Sequence, residues 1–154
     1  FRNEKAQERT ISFAGLYDEV SRWAQALRDM GVTQGDRVAG YMPNMPETII
    51  AMLAASSIGA IWSSASPDFG VQGVLDRFGQ IEPKVLIGVD GYYYNGKVID
   101  CLEKIEAAAA QMPSLEKIVI VPFFGKQPDL QINKAVTQDD FIAPFTAQDI
   151  AFNR

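Results

Sequence analysis

Residues 35–69, GDRVAGYMPNMPETIIAMLAASSIGAIWSSASPDF, decide the fold, because they read as strand, turn, helix and strand in quick succession. Gly35-Asp36 is a turn leading into Arg37–Met42, where Val38, Gly40 and Met42 alternate with Arg37, Ala39 and Tyr41. Pro43-Asn44-Met45-Pro46 ends that strand and starts a helix, since proline suits a first helical turn and not a strand interior. From Pro46 to Ser57 the stripe Ile49, Ile50, Leu53, Ala54 predicts a helix buried on one side. Gly59 stops it, and Ala60–Trp62 is a short apolar run of strand type. Two strands joined by a crossover helix form a βαβ unit, whose parallel sheet is normally covered on both faces.

The same stretch contains a run, Thr48 to Pro67, that carries no charge and is long enough to cross a bilayer. Yet it includes Ser56, Ser57, Ser63, Ser64, Ser66 and Gly59, its flanks Glu47 and Asp68 are acidic, and no basic anchor lies beside it. A buried helix followed by a buried strand is the expectation, in a soluble protein with no membrane partner.

Composition narrows the classes further. The 154 residues suffice for one domain or part of one, and 47% hydrophobic with 21% charged is ordinary globular usage. A net charge of −5 without any basic run argues against nucleic acid and anionic membranes as partners. The single Cys101 excludes an internal disulfide and fits a reducing compartment, so a cytoplasmic location is expected. No histidine is present, which removes the usual zinc sites, Ser-His-Asp triads and commonest general bases from this chain acting alone. The first residue is Phe1, not Met, and the chain is expected to be an excised part of something longer.

On either side of the central stretch the pattern continues. Residues 1–13 suggest a hairpin, with a polar turn over Asn3–Gln7 and Arg9–Phe13 extended. Leu16, Val20, Trp23, Leu27 and Met30 recur at helical spacing, with Gly31 as the stop. After a loop at Ser66–Gly70, Val71, Val74, Leu75, Phe78 and Ile81 mark the inner face of another helix. Val85–Val89 is a strand of the fully buried kind, Asp90–Gly96 a turn region, Val98–Met112 a helix and Ile118–Val121 a strand. Residues 14–122 therefore form a βαβ-type core, and 123–154 a loop-rich tail in which Asp139–Phe145 suggests a helical turn. The fold class is α/β, a mainly parallel sheet with helices on both faces.

One motif invites a nucleotide reading. Gly91-Tyr-Tyr-Tyr-Asn-Gly96-Lys97 satisfies GxxxxGK, but Val98 follows where a P-loop has the Ser or Thr that binds magnesium. The bland reading is a glycine-punctuated turn with exposed tyrosines. An intermediate one puts Lys97 at a helix N-terminus, where an anion is welcome. A dinucleotide fold would need GxGxxG after the first strand, and Gly40-Tyr-Met-Pro-Asn-Met-Pro fails that pattern. A phosphorylated receiver would need clustered acids at strand ends, and Asp90 stands without such a pair.

Thr10-Ile-Ser-Phe, the helix Leu16–Met30 and GVTQGDRVAGYMPNMPETIIAMLAASSIGAIWSSASPDF together resemble the N-terminal region of the acyl- and aryl-CoA synthetases, the adenylate-forming enzymes. Ser66-Pro-Asp-Phe-Gly70 and Gln80-Ile-Glu-Pro-Lys-Val-Leu86 resemble the acetoacetate branch of that family. The resemblance implies the first part of a large N-terminal domain that stops just before a phosphate loop. It implies a parent ligase that uses acetoacetate, ATP with Mg2+, and coenzyme A, while the chain itself binds no cofactor and supplies no catalytic residue. A ligase for another short-chain acid, and a stand-alone non-catalytic α/β binding module, are the rivals. In related acetate–CoA ligases a turn after the strand equivalent to Val85–Val89 contacts coenzyme A, which carries over to Tyr94, Gly96 and Lys97. The Pro67–Gly70 loop resembles one lining the pantetheine tunnel, which adds Phe69 and Gly70. Apolar faces left open in such a piece are expected to favour self-association.

Overall fold

The computed structural model describes residues 1–153. Its elements, in chain order, are α1 (Phe13–Asp29), β1 (Arg37–Tyr41), α2 (Pro46–Ser57), β2 (Ile61–Ala65), α3 (Val71–Phe78) and β3 (Val85–Val89). There follow β4 (Gly91–Tyr94), β5 (Lys97–Asp100), α4 (Leu102–Ala109), β6 (Lys117–Val121), β7 (Ala135–Thr137) and α5 (Gln138–Ile142). Five strands form one parallel sheet in the order β2-β1-β3-β6-β7, and β4 with β5 makes a separate antiparallel pair. The α/β class, parallel sheet and two helical layers are as the sequence implied.

Chirality explains the layers. The step from β1 to β2 runs one way along the sheet and the step from β2 to β3 runs back past β1. Right-handed crossovers in opposite directions put their helices on opposite faces. Accordingly α1, α2 and α5 share one face while α3 and α4 pack together on the other. β3 sits mid-sheet with every residue buried, as its continuous apolar run requires. Trp23, Leu27, Tyr41, Phe78, Leu86 and Ile87 are among the largest fully buried side chains, each worth roughly 1.5–3 kcal/mol of burial. Gly40 has a packing reason to lack a side chain, since a Cβ there would lie 2.5 Å from the Trp62 ring of neighbouring β2.

Several expectations need correction. β2 is not a buried strand but the sheet edge, with Ile61 54% exposed. The α2 stripe is only half buried: Ile50 and Ala54 are in the core, whereas Ile49 and Leu53 stay partly exposed along shallow hollows shared with Leu16 of α1. Phe13 begins a helix instead of ending a strand, because Ser12 caps α1 by accepting the Gly15 N–H at 3.1 Å. Residues 1–9 do fold back antiparallel about the polar turn: Arg2 bridges Glu8, the Arg9 N–H donates to the Phe1 carbonyl at 2.9 Å and the Asn3 N–H to that of Gln7 at 3.1 Å. The helix expected at Val98–Met112 starts only at Leu102, since Lys97–Asp100 is strand. β7 was missed altogether. The segment after Phe145 lies along α1, where Ser21 Oγ donates to the Gln148 carbonyl at 2.6 Å and accepts its N–H at 3.0 Å.

No described helix is long and apolar enough to cross a membrane.

Candidate functional site

In open parallel sheets, ligands bind beyond the carboxyl ends of the strands, where the strand order reverses. Here that point lies between β1 and β3, and three segments gather there. Tyr41 ends β1, the Ser66–Gly70 loop follows β2, and the β4–β5 hairpin follows β3.

Asp90 is the joint between β3 and the hairpin. Its Oδ1 accepts the Phe123 N–H at 2.7 Å, and its carbonyl accepts the Cys101 N–H at 3.0 Å. Burial pushes its carboxyl above the usual range, although backbone N–H groups of Phe123, Gly91 and Phe124 pull the other way. Cys101 is wholly buried, and burial pushes its thiol up to about 11. It is a packing residue, as expected of a lone cysteine without a base.

The hairpin turns at Asn95 (φ +49°) and Gly96 (φ +73°), so that Tyr94 pairs with Lys97. Two consecutive positive φ values make the turn that matches strand twist, and Asn-Gly is its favoured sequence. Lys97 therefore opens a strand, not a helix, and the helix-dipole reading of it is withdrawn, together with the strand–loop–helix context a P-loop requires. Lys97 and Val98 are exposed at the tip, as is Tyr94 at 62%. The tyrosines are not all exposed, however: Tyr93 packs edge-on against Phe123 and Phe124, at centroid distances of 5.6 and 5.4 Å, and Tyr92 faces the Ser66–Gly70 loop. The turn has its own anion. The N–H groups of Asn95 and Gly96 donate to the two carboxylate oxygens of Glu4 at 3.0 and 2.9 Å.

The Ser66–Gly70 loop is fastened from outside. Tyr41 reaches the Pro67 carbonyl at 2.9 Å and also contacts the Phe69 carbonyl. Ser66 Oγ donates to Asp68 at 2.9 Å, and the Tyr92 phenol faces the same carboxylate. Those hydroxyls, Tyr92 first, hold Asp68 below the usual carboxylate range, with Lys104 adding to the effect. Burial and the Asp68 charge push the Tyr41 and Tyr92 phenols well up, so both remain protonated donors. The Phe69 ring lies under the Arg77 guanidinium, 3.9 Å from its centroid.

The five predicted residues thus form two groups. Phe69 and Gly70 stand on the loop, and Tyr94, Gly96 and Lys97 at the hairpin tip. Tyr92 connects the loop to the base of the hairpin, while no hydrogen bond among the described residues joins loop and tip. Sequence reasoning missed Tyr41, Tyr92, Lys104 and Glu4.

A three-layer sheet with its loops gathered at the carboxyl edge is the architecture of substrate-binding α/β domains. The AMP-binding enzyme family matches residues 3–152, and the chain belongs to that family. It is 51% identical to the acetoacetyl-coenzyme A synthetase of Rhizobium meliloti (strain 1021), across 100% of this chain and 24% of the relative. It is 47% identical to the acetoacetyl-CoA synthetase of Macaca fascicularis, across 90% and 21% respectively. The acetoacetyl-CoA synthetase of Streptomyces lividans superposes with a TM-score of 0.89 at 34% identity, covering 98% of this chain and 23% of that one. The chain therefore spans a quarter or less of the length of these relatives.

Proposed function

We propose that this chain is the first part of the large N-terminal domain of a ligase that activates acetoacetate with ATP and transfers it to coenzyme A. The observation that carries the reading is the 51% identity, along the whole chain, to a protein named acetoacetyl-coenzyme A synthetase. The reaction has two halves. The acetoacetate carboxylate attacks ATP, giving the acyl-adenylate and releasing pyrophosphate. The coenzyme A thiol then gives up its proton and attacks the acyl carbon, forming the thioester and releasing AMP.

Within this scheme the chain serves the second half. Lys97 is a point charge for the phosphates of coenzyme A, beside the Asn95–Gly96 amides, whose hydrogen bonds to the Glu4 carboxylate support reading this tip as a seat for an oxyanion. Tyr94 and Gly96 shape that tip, and Phe69 with Gly70 line the path of the pantetheine arm. Among the described residues no three acidic or cysteine side chains gather in one place. The parent enzyme is cytoplasmic. The chain alone is catalytically silent, and its exposed Phe13, Ile49, Leu53 and Phe152 favour self-association.

The test is Lys97→Ala in the complete enzyme. Lys97 lies far from the reacting sulfur and adds uniform binding, so KM for coenzyme A should rise roughly tenfold with little change in kcat. Acetoacetate-dependent ATP–pyrophosphate exchange should be untouched. Loss of exchange with an unaltered coenzyme A KM would overturn the assignment.

A further inference from the structure

Lys104 stands in the first turn of α4, an unfavourable place for a cation because the N-terminal end of a helix carries partial positive charge. Tertiary contacts explain its presence. Its ammonium donates to the Pro67 carbonyl at 2.6 Å and lies 5.6 Å from the Tyr41 ring centroid and 5.8 Å from that of Tyr92. It also faces the Asp68 carboxylate. Proline has no N–H, so residue 67 can be fixed only through its carbonyl and ring. That carbonyl receives two donors, Tyr41 from the end of β1 and Lys104 from α4. Pro67 is buried, Phe69 half-buried and Gly70 exposed, so the fastening lies directly beneath the loop's open end.

We propose that Lys104 is a positioning residue for coenzyme A binding: clamped between Tyr41 and Tyr92, it fixes the Pro67 carbonyl and with it the stretch that presents Phe69 and Gly70. The inference rests on the reading of that loop as the pantetheine path. Lys104 touches no substrate and acts through the loop. Three elements, β1, the β4–β5 hairpin and α4, thereby converge on one loop. The charge neutralises the negative pole made by Asp68 and the carbonyls of residues 67 and 69.

The experiment uses the complete enzyme with Lys104→Met and Lys104→Arg, each followed in both half-reactions and in thermal unfolding. Lys104→Met keeps length and packing, and should raise KM for coenzyme A about tenfold while leaving ATP–pyrophosphate exchange within about twofold. Lys104→Arg retains the charge and the donor, and should recover most of that loss. In a Phe69→Ala background, Lys104→Met should add little, because the group it positions is gone. Equal losses in both half-reactions together with a lowered Tm would show a structural role and overturn the proposal. So would an unchanged coenzyme A KM in Lys104→Met when Phe69→Ala raises it. If Phe69→Ala itself leaves that KM unchanged, the pantetheine reading fails and Lys104 falls with it.

Discussion

Strand β3 and the β4–β5 hairpin are separated by one residue, Asp90, and obey different rules. β3 has parallel neighbours on both sides and helices above and below, and each of its residues is buried. Its conformation follows from apolar content alone, because only a central parallel strand hides five consecutive residues. The hairpin has a single partner strand and an exposed tip, and its path is set by two residues with positive φ. One region is held by what surrounds it, the other by local backbone chemistry. A domain thus places a locally shaped hairpin directly after a fully buried central strand without letting the core dictate the hairpin's shape.

That contrast can be broken from either side. The largest effect is expected at Ile87, wholly buried in β3: Ile87→Ala should cost about 2–5 kcal/mol in urea unfolding of the chain. Next is the alkaline response of Cys101, where hairpin meets core. Its folded thiol keeps the proton up to about 11, above its ordinary 9.0, so the stability it contributes is complete below pH 9 and is lost as pH rises towards 11. The unfolding constant should grow by up to about tenfold per pH unit in that window, and Cys101→Ala should flatten the slope. Gly96→Ala places a side chain at φ +73° and should cost about 1 kcal/mol, visible as faster amide exchange in the hairpin with the β3 amides unchanged. Val98→Ala, at a position 64% exposed, should stay within about 0.5 kcal/mol. A Val98 cost equal to that at Ile87 would show that the hairpin tip is packed in solution, and the contrast would fall.

The same division explains what could be read from the residues. β1, β3 and β6 announce themselves as apolar runs, and the crossover helices follow from periodicity and proline placement. Strand order is not written locally, so β2 passed for a buried strand when it is an edge. At the hairpin a phosphate-loop template drew attention to Gly91, Gly96 and Lys97. The more informative signal was Asn95-Gly96 between short stretches of β-forming residues. The tip and loop residues of the candidate site came from family resemblance. Their supports did not, because Tyr41 and Lys104 meet Pro67 across 26 and 37 residues, and no spacing rule connects them.

Glu4 gives the hairpin tip a further property. The Asn95 and Gly96 amides are engaged by its carboxylate, which the Arg9–Glu47 ion pair helps to tether nearby. A tethered group of this kind behaves as a competitor present at high effective concentration. Any phosphate that takes the same two amides must first displace it, and its apparent affinity falls in proportion to the fraction of molecules in which the seat is vacant. On the proposed reading of the tip as a phosphate seat, Glu4 is its built-in competitor, and the firmness with which residues 1–9 stay in place sets how readily the seat opens.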